Sequence, residues 1–163
     1  MKIGAVKEIK DKENRVALTP EGAKKLVDAG HKVLIEENAG VNSGFSNDEY
    51  KNAGAEIVDT QTAWSADLVV KVKEPMEQEY KFLKSQIVFT YFHLAGATKT
   101  LTEALLKNKT TAIAYETVED NYNRLPLLAP MSAVAGNMAV QVGSYYLAKF
   151  NNGNGTLIGE VLG

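Results

Sequence analysis

Four places in the chain put groups capable of chemistry at or just after a short apolar run. Arg15 lies in the charged loop KEIKDKENR after the first run. Lys73 and Glu74 follow DLVVKV, His93 follows QIVFTYF, and Glu116 follows TAIAY. A guanidinium and an ammonium brought together bind a carboxylate, the arginine through a two-pronged fork. A histidine beside them moves a proton near neutral pH. The set suits a small carboxylic acid undergoing proton transfer. Plainer readings compete with this one. Arg15, Glu116 and Asp120 read equally as surface charges, and Lys71 and Lys73 as solvated ends of a strand. His93, between Phe92 and Leu94, reads as a satisfied structural residue. Of the 18 basic residues only Arg15 and Arg124 are arginine. In so lysine-biased a chain, each arginine raises the question of why lysine would not serve.

These groups need a scaffold that brings loops from distant parts of the chain to one place. At 163 residues the chain suits one domain with a sizeable core. Hydrophobic residues make up 45% and charged residues 23%, which excludes a disordered tail, a collagen-like chain and a coiled coil. The net charge of −2 and the absence of any basic block argue against a nucleic-acid partner. Without cysteine there is no disulfide scaffold, thiolate metal site or cysteine nucleophile. The two histidines, His31 and His93, sit at no metal-ligand spacing, so no metal site is read. No apolar run is long enough to span a membrane. The opening MKIGAVKEIK is not a secretory signal, so a cytoplasmic location is expected.

Strand-like runs alternate with helix-like segments. Strands are expected at 2–6, 32–36, 56–58, 67–72, 86–92 and 111–115. Thr19-Pro20-Glu21 is a helix start, with threonine as N-cap and proline in the first turn. Ser46 with Glu49 forms a capping-box pattern, and Gly30 and Gly54 are placed to end helices. Further helices are expected at 60–64, 76–83, 98–108 and 132–150. The alternation argues for an α/β domain with a parallel sheet, and for functional groups at the carboxyl ends of its strands where strand order reverses. The 132–150 helix is apolar on two faces, Val134, Met138, Val142 and Tyr145 on one and Ala135, Ala139 and Gly143 on another, so it calls for more than one neighbour. Gly153, Gly155 and Gly159 miss the dinucleotide fingerprint by one residue and follow no convincing strand. Ser132 lacks the surroundings of a hydrolase nucleophile.

Five segments, in order, carry a family resemblance: IGAVKEIKDKENRVALTPEGAKKLVDAGHKV, LVVKVKEP, FTYFHLA, AIAYETV and LPLLAPMSAVAGNMAVQVGSYYL. The chain resembles the N-terminal part of the bacterial alanine dehydrogenases over nearly its whole length. The related transhydrogenase subunit shares the first two signatures but lacks the histidine of FHLA and the LLAPMS stretch, so His93 and residues 127–132 favour the dehydrogenase side. The resemblance implies a Rossmann-like parallel sheet flanked by helices and ending in a long connecting helix. It implies oxidative deamination of L-alanine to pyruvate and ammonia with NAD as hydride acceptor. Carried over, Arg15 and Lys73 correspond to the residues that bind the substrate carboxylate, and His93 to the proton donor and acceptor. Glu74 orients its neighbour Lys73, and Met131 and Ser132 line the nicotinamide side of the cleft.

The family chain continues into a dinucleotide-binding domain, which this sequence does not reach. The expectation is therefore a substrate-binding domain at 1–130 and a connecting helix and hairpin at 131–163, truncated and inactive alone. Self-association through the 132–150 helix is expected. Two alternatives stand beside this. One is a non-catalytic module binding small carboxylates. The other is part of a transhydrogenase or of a lysine-pathway dehydrogenase.

Overall fold

The computed structural model describes residues 1–159. The chain divides into a first compact unit, Met1–Glu116, and a second that begins at Thr117.

The first unit is built on six strands: β1 (Lys2–Ala5), β2 (Lys32–Glu36), β3 (Glu56–Val58), β4 (Leu68–Lys73), β5 (Ile87–Tyr91) and β6 (Thr111–Ala114). All pair in parallel, in the order β3-β2-β1-β4-β5-β6. Parallel strands need crossovers, supplied here by α1 (Pro20–Asp28), α2 (Asn47–Asn52), α3 (Thr60–Trp64) and α4 (Lys99–Lys107). The expected α/β architecture is what forms. Strand order reverses between β1 and β4, which opens a crevice outside their carboxyl ends.

Local signals act as their chemistry dictates. The Thr19 hydroxyl accepts from the Gly22 N–H and starts α1. Ser46 and Glu49 form the reciprocal capping box of α2. Asp59 caps α3 by accepting from the Thr62 N–H.

Two hydrophobic clusters cover the sheet. On one face Val69, Val88 and Leu34 pack with Trp64, Phe92, Leu101 and Leu105; on the other, Ala5, Val33 and Ile35 pack with Ala23 and Tyr50. Close packing of α3 on β1 depends on Gly4. A Cβ there would stand 2.2 Å from the Ala63 carbonyl oxygen, a backbone atom that cannot yield.

The segment read as a helix at 76–83 forms instead a tighter 3-10 turn, Glu77–Phe82. In it Glu79 points inward: one carboxylate oxygen accepts from the Met76 N–H and the other meets the Lys71 ammonium.

The second unit contains α5 (Ala129–Leu147). It begins three residues before the sequence reading, because Pro130 sits in the first turn, where its missing N–H is not needed. It ends at Leu147, since Ala148 is extended. None of its 19 residues is charged and none is buried. The glycine-rich stretch after it folds back as a cap: the Gly153 N–H donates to the Ala148 carbonyl and the Gly155 N–H to that of Leu147. Residues 160–163, the end of the segment read as the start of a further element, lie outside the described residues.

Candidate functional site at the strand reversal

The loops after β1, β4 and β5 meet at the crevice. Lys10, Lys73, Glu74, Tyr91 and His93 line a cavity of about 140 Å³ there. Three of the groups singled out from sequence, Lys73, Glu74 and His93, are thus brought together.

Lys73 is aimed by an irregularity in β4. Val70 pairs with Phe89, and Lys73 with Tyr91, so three steps along β4 match two along β5. Such a bulge reverses the alternation of side chains. Lys71 lies on the face of Trp64, with its ammonium 5.7 Å from that ring. Without the bulge Lys73 would follow it there. With the bulge it shares the face of Tyr91. Thr90 fastens the end of the strand by donating its hydroxyl to the Lys73 carbonyl at 2.9 Å. Tyr91 is held edge-on against Tyr115, whose hydroxyl is shifted above its ordinary pKa by burial.

Lys71 corrects the sequence reading. It is no solvated strand end but fully buried, with its ammonium 2.8 Å from Glu79 and 3.4 Å from Glu8. Glu8 is buried with it, and burial raises its carboxyl pKa despite the opposing pull of Lys71. The Glu8 carboxylate accepts from the Val72 N–H at 2.6 Å and the Lys73 N–H at 3.4 Å.

Glu74 forms an ion pair with Lys10 across the mouth of the cavity. His93 is exposed, while Phe92 before it is buried. Its backbone has a φ of +45°, uncommon for a residue with a Cβ. Glu116, in the turn after β6, holds that backbone by accepting from the His93 N–H. The ring needs Gly96, because a Cβ there would lie 2.7 Å from Cδ2 of His93.

Arg15 stands in the loop between β1 and α1. Its Nε donates to one oxygen of Glu13 at 2.8 Å and its Nη2 to the other at 2.6 Å. A carboxylate of the chain itself thus occupies two donors of the guanidinium. This arginine holds the Glu13 carboxyl below the usual carboxylate range. Tyr91 and Glu8 act on Arg15 electrostatically, and Lys73 on Glu13, so both sit in the field of the crevice.

Met131 and Ser132 lie in the first turn of α5, in the second unit. Sequence reasoning passed over Glu8, Glu13, Glu79 and Tyr91. The one local signal was a lysine inside an apolar run, LVVKV, which calls for a buried counterion.

These features define a class: a parallel α/β domain with a cationic and histidine-bearing cavity at its strand reversal. The chain matches the family described as alanine dehydrogenase/PNT, N-terminal domain, over residues 4–135, and it belongs to that family. It is 56% identical over its full length to an alanine dehydrogenase of Staphylococcus epidermidis, and 54% identical to one of Staphylococcus haemolyticus. It spans 44% of the length of each. Among solved structures, an L-alanine dehydrogenase superposes on 99% of the chain with a TM-score of 0.88 and 50% identity, this chain covering 45% of it. A transhydrogenase from Sinorhizobium meliloti superposes on 71% of the chain with a TM-score of 0.67 and 31% identity, with 35% of it covered.

Proposed function

We propose that this chain is the substrate-binding segment of an NAD-dependent alanine dehydrogenase, which converts L-alanine, NAD and water to pyruvate, ammonia and NADH in the cytoplasm. The observation that carries the reading is the convergence of Lys73, Glu74 and His93 on one small cavity at the strand reversal. In this reading Lys73 and Arg15 bind the substrate carboxylate. His93 gives and takes the proton at the reacting carbon's nitrogen or oxygen, and Glu74 restrains the rim through Lys10. An incoming carboxylate either joins or displaces Glu13 on the Arg15 fork.

Met131 and Ser132 face the nicotinamide in this assignment. NAD itself supplies hydride acceptance when bound. The residues described here do not fit the rest of it: Gly153 and Gly155 cap α5 instead of forming a strand-turn-helix phosphate loop. On this proposal residues 1–159 bind substrate, and no turnover by them alone is expected.

Pyruvate titrated into the purified chain by calorimetry is expected to bind. Arg15→Ala is expected to weaken it by about 1.5–3 kcal/mol, the scale of a charge-assisted hydrogen bond, toward the low end because Glu13 already occupies the fork. Absence of binding to the unaltered chain would overturn the reading.

The same proposal includes self-association through α5. The helix is uncharged, and Val134, Met138, Val142 and Tyr145 are exposed on it. An apolar face of this extent is costly to leave in water. Sedimentation velocity in the micromolar range is expected to show a dimer or larger species, and a monodisperse monomer would refute this part.

A further inference from the structure

We propose that Glu8 is the positioning residue that makes Lys73 a ligand-binding group. This rests on the carboxylate-binding role proposed above for Lys73. Where β4 runs three residues against two of β5, ladder pairing is interrupted at Lys71 and Val72. A backbone N–H left without a partner in the interior is strongly disfavoured, so a bulge at a buried place needs an acceptor. The Glu8 carboxylate is that acceptor. A single oxygen, Oε1, takes both the Val72 and the Lys73 N–H, and the side chain is 2% exposed.

Two further observations show that the arrangement is built. Lys71 offsets the charge of the carboxylate at 3.4 Å and is itself paired with Glu79 at 2.8 Å. Glu79 also holds the Met76 N–H, so the triad ties the loop after β1 to both ends of the Lys73-Glu74-Pro75 corner. A neutral acceptor of the same shape would hold the two N–H groups. An apolar residue would not, and β4 would gain by returning to regular alternation. Lys73 would then turn to the Trp64 face, away from Tyr91 and the cavity. Glu8 touches no reacting atom. It acts through the direction in which Lys73 points.

The test uses the chain as it is, with two readouts. The first is the NMR cross-relaxation between the Lys73 side chain and the Tyr91 ring, which needs no ligand. The second is pyruvate affinity. Glu8→Gln keeps an acceptor oxygen and is expected to keep the Lys73–Tyr91 contact, with affinity within about threefold. Glu8→Ala is expected to remain folded, since Lys71 and Glu79 remain a neutral pair. It is expected to lose the contact and to weaken pyruvate binding about tenfold or more, as misplaced binding groups do. Glu8→Leu, which fills the space without an acceptor, replaces it if the alanine variant unfolds. A Lys73–Tyr91 contact that survives in Glu8→Ala or Glu8→Leu would overturn the proposal. If the unaltered chain binds no pyruvate, the substrate reading falls, while the Lys73–Tyr91 contact still decides the role of Glu8.

Discussion

Lys71→Met is expected to destabilise the fold by about 3–5 kcal/mol at neutral pH, the usual penalty for removing one partner of a buried ion pair. The side chain volume is nearly conserved, so the loss is electrostatic and not a cavity. Lys71 is fully buried between Glu8 and Glu79. Removing it leaves two carboxylates facing each other without a cation, beneath Trp64. The exposed pairs of this chain, such as Lys24 with Asp28 and Lys99 with Glu103, are screened by water and contribute little by comparison.

The effect should depend on pH, with a sign that follows from Glu8. Its native carboxyl pKa is already raised by burial, and Lys71 is the strongest of the groups that oppose the rise, ahead of the Val72 and Lys73 N–H groups. A raised native value means that the folded state binds the proton more tightly than the unfolded chain does. Stability then falls as pH rises from the ordinary carboxylate value, 4.5, through the native one. Without Lys71 the native value climbs further, so the deficit of the variant should widen from pH 4.5 to neutrality. Urea denaturation at both ends of that range measures it. A deficit that is constant with pH would mean that Lys71 stabilises by packing alone.

His93→Ala is expected to lower turnover by about 100-fold or more when this segment is completed by the sequence its longer relatives carry. The expectation rests on how much of the structure is devoted to one exposed ring. The backbone of His93 is held in an uncommon conformation, its N–H is taken by Glu116, and Gly96 leaves room for the imidazole. Strained backbone of this kind is retained where the surroundings fix it, and it clusters at functional sites. The carboxylate contacts proposed for Lys73 and Arg15 do not pass through His93. Pyruvate affinity should therefore stay within about threefold, the pattern of a group that acts mainly in the transition state. Steady-state rates of alanine deamination, read beside calorimetric binding, separate the two. Unchanged turnover would remove His93 from the chemistry, and the non-catalytic carboxylate-binding reading would then gain.

What sequence alone determines here is the local grammar. Thr19, Ser46 with Glu49, and Gly30 and Gly54 mark helix boundaries because a cap is a matter of three or four neighbouring residues. The apolar runs at each strand are legible for the same reason, and their alternation with helices specifies a parallel sheet. Arg15, Lys73, Glu74 and His93 could be singled out because chemistry-bearing residues followed strands. Tertiary structure decided the rest. That β4 lies beside β1, and so where the crevice opens, is a property of strand order. That Lys71 is buried and Lys73 is not depends on one extra residue in the register of β4 against β5. The partner that stabilises this register, Glu8, is 64 residues away from Val72. That Glu13 occupies the Arg15 guanidinium was not legible in the sequence. Periodicity and caps are written within one or two turns of chain. The pairing of buried charges is settled only when distant strands fix which groups lose their water together.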